Sequence, residues 1–139
     1  MKIVIDTNVF ISATFWSGAS DQVVSKVESK EIGLVLSKDI IKEFSKVLNY
    51  DEIKNKIKDK DLVMKYAVNK IVFISEIVDI PRKLKIVKDD PDDDKFIETA
   101  VEGRADYIVT NDKHLLNVKE IEGVKIVKPD EFLKILERR

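Results

Sequence analysis

Short apolar runs and helical stripes alternate along this chain. Lys2-Ile3-Val4-Ile5 is apolar and stops abruptly at Asp6-Thr7-Asn8, which predicts a strand buried on both faces, as in parallel sheets. Val9-Phe10-Ile11 continues as the start of a helix, and Phe15 to Ser20 reads as a loop broken by Gly18. Val23, Val24 and Val27 recur at helical spacing, with Gly33 expected to close that helix. Leu34-Val35-Leu36 predicts a second strand, and Ser37 stands where it can cap a helix running to about Tyr50. Residues 51–75 are charged, with Ile53, Ile57, Leu62, Val63, Tyr66, Ala67 and Ile71 as an apolar stripe, and predict one or two helices. Ile77 to Pro81 reads as an edge strand or extended segment, because Pro81 cannot continue a ladder. Pro91 and the aspartates around it open a helix whose Phe96, Ile97, Ala100 and Val101 face the core and which Gly103 ends. Tyr107-Ile108-Val109 and Val124 to Val127 are further strands, and Pro129 opens a terminal helix containing Phe132, Leu133 and Leu136.

Strands and helices thus alternate throughout, the α/β pattern of a mostly parallel sheet covered on both faces, with 51–75 as a helical insertion. The 139 residues predict a single domain, 1–139, since halves would be too small to bury good cores. Cysteine is absent, which removes disulfides, thiolate metal sites and a cysteine nucleophile. A single histidine rules out a His-rich zinc cage. The net charge of −1 gives no global basic footprint, so nucleic-acid contacts would need a local patch. No signal-peptide pattern opens the chain and no apolar stretch reaches the roughly 20 residues of a membrane helix, so a cytoplasmic protein without membrane contact is expected.

In open α/β sheets ligands bind beyond the carboxyl ends of the strands. Two strands here end alike, Ile5 into Asp6-Thr7-Asn8 and Val109 into Thr110-Asn111-Asp112. A carboxylate there costs desolvation unless it is paired or binds a cation; the alternative is that each Asp caps the next helix. Glu43 lies on the stripe of Ile40, Phe44 and Val47, where an ionisable group needs a partner, or it snorkels at the edge or pairs with a lysine. The run Asp89-Asp90-Pro91-Asp92-Asp93-Asp94 crowds carboxylates that a divalent cation would relieve, though some serve as solvated helix caps. Asp93 and Asp94 both project towards the buried side, and helical phase does not choose between them. An all-oxygen set drawn from Asp6, Glu43, one of these aspartates and Asp112 selects Mg²⁺ or Mn²⁺. Such ions equip a site for phosphodiester hydrolysis without a protein nucleophile.

The same residues carry a resemblance to PIN-domain ribonucleases, and more narrowly to the toxin-like PIN proteins of toxin–antitoxin systems. Lys2 to Val9 resembles the family's opening strand and first acid, and Glu43 matches the second. Asp94-Lys95-Phe96-Ile97-Glu98-Thr99-Ala100 resembles the third motif and selects Asp94 over Asp93. Ala105 to Asp112 resembles the fourth, with Asp112 as its acid. The resemblance implies a three-layer α/β/α PIN-like fold and a Mg²⁺- or Mn²⁺-dependent endoribonuclease. Asp6, Glu43, Asp94 and Asp112 would be its metal-binding, catalytic acids, and Thr7, Asn8, Thr110 and Asn111 would support them or position substrate. It also implies RNA as substrate, a homodimer and an inhibitory antitoxin protein as partner. Some members carry a further acid just after the Asp112 position; His114 and Leu115 stand there, so a second ion is expected to bind weakly or only with substrate. Glu98, one turn on from Asp94, could compensate for the missing acid, with a surface position as the default, and His114 could touch a phosphate, with a structural loop role as the default.

Substrate contacts are less legible. Lys54, Lys56, Lys58 and Lys60 are balanced by neighbouring acids and read as a solvated face, whereas Arg82, Lys83, Lys85 and Lys88 could lead a phosphate backbone inwards. Phe15 and Trp16 could stack on bases, but burial in the core or a dimer interface is the default. A haloacid-dehalogenase-like phosphatase needs a second Asp where Asn8 stands, and a receiver-like phosphoacceptor needs an acidic pair that Asp6-Thr7 does not supply. A catalytically weak or inactive PIN-like module that binds RNA or protein is the first alternative, and a Mg²⁺-dependent phosphatase stands behind it.

Overall fold

The computed structural model describes residues 1–47, 61–80 and 93–139, with backbone alone for 61–66. Its strands are β1 (Lys2–Ile5), β2 (Gly33–Ser37), β3 (Glu76–Val78), β4 (Tyr107–Val109), β5 (Glu120–Ile121) and β6 (Val124–Val127). Its helices are α1 (Thr7–Phe15), α2 (Ala19–Glu28), α3 (Lys38–Val47), α4 (Asp61–Phe73), α5 (Asp94–Glu102), α6 (Lys113–Val118) and α7 (Pro129–Glu137). The strands form a six-stranded sheet in the order β3-β2-β1-β4-β6-β5. All neighbours run parallel except β5, which pairs antiparallel with β6 at one edge. This is the expected α/β architecture, a mostly parallel sheet flanked by helices.

The continuous apolar strands explain that choice. Ile3, Val4, Ile5, Leu34, Val35, Leu36, Ile108 and Val109 are all essentially inaccessible, so both faces of the central strands must be covered. Helix α5 lies across β1, β2 and β4, while α1 packs on α2 and α3. Phe10 of α1 and Phe44 of α3 stack with ring centroids 4.4 Å apart, which fixes α3 beside the start of α1. The chain leaves β1 towards β2 on one side, and β4 and β6 fill the other. The crevice between β1 and β4 is therefore the topological switch point of the sheet.

Several boundaries differ from the sequence-based expectation. Helix α2 ends at Glu28 rather than at Gly33, which opens β2; exposed Lys30, with φ 67°, makes the left-handed turn between them. Helix α6 and strand β5 were not expected, being too short to show periodicity. Glu122-Gly123, with φ 46° and 84°, forms the two-residue turn that joins β5 to β6. The basic stretches at 54–60 and 82–88, Leu48 to Tyr50 and Asp89 to Asp92 with Pro91 lie outside the described residues.

Gly103 does cap α5, but not by a left-handed conformation, which falls instead on Arg104 with φ 55°. The need for glycine is spatial: a Cβ there would stand 2.4 Å from Val35 Cγ1. The end of α5 is thereby pressed onto β2. Gly103→Ala is expected to destabilise the fold by about 1–3 kcal/mol through overpacking. Combined with Val35→Ala it should cost less than the sum of the two changes, because the added methyl enters the space vacated. Urea unfolding of both single variants and the double variant checks this; strict additivity would refute the contact.

Candidate active site

The parallel pairing of β1 with β4 sets Ile5 opposite Val109, so the residues that follow emerge side by side. Asp6 N–H donates to Val109 O at 3.3 Å, and Thr110 N–H donates to Val127 O at 2.9 Å, extending the ladder past the strand ends. Asp6 is buried. Its Oδ1 accepts from the Val9 N–H at 2.8 Å, capping α1, and its Oδ2 accepts from the Thr110 hydroxyl. The Thr110 hydroxyl in turn accepts from the Asp112 N–H at 2.9 Å. Asp112 Oδ1 accepts from the His114 N–H at 2.7 Å and caps α6. The capping alternative is thus realised at both aspartates. It engages one oxygen of each and does not account for the burial of Asp6.

Glu43 arrives from α3. Its Oε2 accepts from the Thr7 hydroxyl and its Oε1 from Lys95 Nζ at 2.7 Å. The lysine alternative considered for this residue is also realised, with a partner 52 positions away in the chain. Asp94 is buried at the first turn of α5, immediately before Lys95. Beneath them the Thr99 hydroxyl donates to Lys95 O at 2.7 Å and accepts from the Ser37 hydroxyl at 2.8 Å, and both side chains are buried. Ser37 lies at the end of β2, and its Oγ accepts a long contact, 3.5 Å, from Ile40 N–H in the first turn of α3. The pair therefore ties α5 to the start of the helix that carries Glu43.

Burial pushes the Asp6 carboxyl up from its ordinary 3.8 to about 6. Thr110 and the Val9 N–H pull it down, while the Asp112 and Glu43 carboxylates push it further up. The three acids thus share one field. The donors are all oxygens and the local charge is negative, which suits a hard divalent cation. Among the described residues, however, no three of the acids close into a ready coordination shell. Asn8 and Asn111 are exposed, next in sequence to the buried Thr7 and Thr110.

Three expectations need correction. Glu98 is buried, not at the surface; it follows Asp94 at i+4, and the spacing that turns one inward turns the other inward too. Trp16 is 52% exposed and so is no part of the core, which of the two expected burials leaves only the one in a dimer interface; it sits edge-to-face on Phe15 just past the end of α1, about 15 Å of helical rise from Asp6. His114 belongs to the first turn of α6, not to a loop. Lys95 and the Ser37–Thr99 pair were not singled out from sequence. Nothing local marks them, because each contact depends on α3 and α5 being brought together.

The family profile of the PIN domain matches residues 2–114, a span containing all four acids. The chain belongs to the PIN-domain family, whose members are generally nucleases. Among curated relatives it is similar to the uncharacterized protein MJ1680 of Methanocaldococcus jannaschii, at 27% identity, covering 99% of this chain and 93% of that protein. Its fold is similar to that of PAE2754 from Pyrobaculum aerophilum, with TM-score 0.65 at 13% identity, covering 100% of this chain and 91% of the other. It is similar as well to VapBC2 from Rickettsia felis, solved bound to a DNA fragment from their promoter, with TM-score 0.59 at 18% identity, covering 91% and 97%.

The raised Asp6 value fixes the sign of a pH effect. Between about pH 4 and pH 6 the folded chain binds more protons at Asp6 than the unfolded chain, so stability falls as pH rises and the loss is complete above 6. Asn at this position keeps the cap acceptor and can donate to Thr110, but carries no charge. In EDTA, Asp6→Asn is expected to be more stable than the parent near pH 8, by up to roughly 3 kcal/mol, with the difference fading near pH 4. Urea denaturation across this range measures it, and a pH-independent difference would contradict the assignment.

Proposed function

We propose that this chain is a Mg²⁺- or Mn²⁺-dependent endoribonuclease that hydrolyses phosphodiester bonds in single-stranded or looped RNA, and that it serves as the toxin of a toxin–antitoxin pair. The observation that carries this reading is the Asp6 carboxyl, buried at the sheet's switch point and pushed up to about 6 with the Asp112 and Glu43 carboxylates contributing. A site that concentrates negative charge at such a desolvation cost is matched to a cation.

Asp6, Glu43, Asp94 and Asp112 would hold the ion, directly or through water. When bound, the ion supplies Lewis acidity towards the phosphate and lowers the pKa of an attacking water. The chain's own residues prepare that site. Thr110 and the Val9 N–H orient Asp6. Thr7 and Lys95 orient Glu43, and the cap of α6 holds Asp112. The exposed amides of Asn8 and Asn111 are suited to hydrogen-bond a phosphate or ribose at the rim. The resemblance to toxin-like PIN proteins and the likeness to the VapBC2 structure support an antitoxin partner; a homodimer and a cytoplasmic setting complete the reading.

A second reading, an RNA- or protein-binding module without turnover, is favoured by His114 and Leu115, which stand where some members of the family carry a further acid. One experiment separates them. A panel of structured and single-stranded RNAs is incubated with Mn²⁺, Mg²⁺ or EDTA, beside Asp6→Asn and Asp94→Asn proteins. The nuclease reading expects metal-dependent cleavage that falls at least about a hundredfold in both variants, the scale of losing electrostatic stabilisation at a reacting centre. Cleavage surviving both substitutions, or RNA binding with no cleavage under any metal, would overturn it.

A further inference from the structure

Both carboxylate oxygens of Glu43 are taken by groups of the chain itself, Oε2 by the Thr7 hydroxyl and Oε1 by the Lys95 ammonium at 2.7 Å. The ion pair is well shielded, with side-chain exposures of 21% for Lys95 and 24% for Glu43. Salt therefore screens it less than it would a surface pair. Lys95 reaches Glu43 from α5, where it directly follows buried Asp94, and Glu43 is one of the two carboxylates, with Asp112, that act on Asp6. A single positive charge thus stands at an acid that a divalent cation would also have to use. A divalent ion brought to the same carboxylate would meet the repulsion of the ammonium, which costs more in a partly desolvated site than in water.

We propose that the Lys95 ammonium is a built-in placeholder for the divalent ion. It neutralises and aims Glu43 while the ion is absent, and it withdraws when the ion arrives. Ion binding is then an exchange of one cation for another, and Lys95 sets its affinity. The chemistry of lysine suits this role. Its charge rides on a flexible four-carbon stem and makes no rigid two-point fork, so it can leave while Thr7 keeps Glu43 in position. Lys95 is in this sense a positioning residue. The inference rests on the metal-dependent reading above, and its test distinguishes the two.

The test is Mn²⁺ titration of the full chain, without RNA, followed by the electron paramagnetic resonance signal of unbound Mn²⁺. Wild type, Lys95→Gln, Lys95→Arg and Asp6→Asn are compared. Lys95→Gln is expected to bind Mn²⁺ about three- to thirtyfold more tightly than wild type, from removal of a nearby like charge. Lys95→Arg, which keeps the charge and grips a carboxylate at two points, is expected to bind no more tightly than wild type. Wild-type binding that Lys95→Gln leaves equal or weakens would overturn the placeholder and leave the metal site standing. No Mn²⁺ binding by wild type or Lys95→Gln, or binding that Asp6→Asn does not reduce, would overturn both. A measurement on the unmutated chain guards against a variant that fails to fold. The side-chain ammonium resonance of Lys95 should move on addition of Mg²⁺, and an unmoved resonance at saturating Mg²⁺ would equally refute the exchange.

Discussion

A carboxylate buried at the end of a central strand is expensive, and the arrangement around Asp6 meets that cost with neutral donors. The in-register pairing of β1 with β4 brings Thr110 to one oxygen, and the first turn of α1 brings the Val9 N–H to the other. The Val9 N–H is a local helix cap, whereas Thr110, 104 positions away, is brought by the fold. The hydroxyl of Thr110 then passes the connection on to Asp112, so two strand ends and two helix starts are joined through one side chain. Even so the carboxyl remains raised, because hydrogen bonds from neutral groups only partly replace water.

Glu43 is managed differently. It stands on a helix, is less deeply buried, and is neutralised by a cation from a second helix. Its position depends on aromatic stacking between Phe10 and Phe44 and on the Ser37–Thr99 hydrogen bond, both of which fix α3 laterally. The close approach of Gly103 to Val35 presses the other end of α5 against the same strand that Ser37 terminates. The relative placement of the acids is therefore set by apolar packing and small-residue contacts that themselves carry no charge.

Much of this was legible in the sequence because parallel strands announce themselves as unbroken apolar runs. Lys2 to Ile5, Leu34 to Leu36 and Tyr107 to Val109 could hardly be anything else, and the polar residues that end the first and third mark the carboxyl edge of the sheet. Helical phase left Asp93 and Asp94 open, and the family resemblance chose Asp94, which is the buried one of the two. What could not be read is what depends on two helices meeting. Lys95 follows an aspartate and would pass for a solvated lysine until α3 is placed beside it. Glu98, with the surface as its default, is buried instead because it shares the face of Asp94 on a helix laid across three strands. Helix α6 and strand β5 were missed for a simpler reason: segments so short have no period to detect.

The helix caps at Asp6 and Asp112 have an evolutionary corollary. Each side chain is at once a structural stop and a charged group, so most replacements would damage α1 or α6 along with any chemistry. Asparagine is the exception, since it keeps the cap acceptor while discarding the charge. The codons of Asp and Asn differ at a single base. A lineage carrying this fold therefore has a one-step route from a charged site to a neutral one with its architecture intact, and the same single base change leads back.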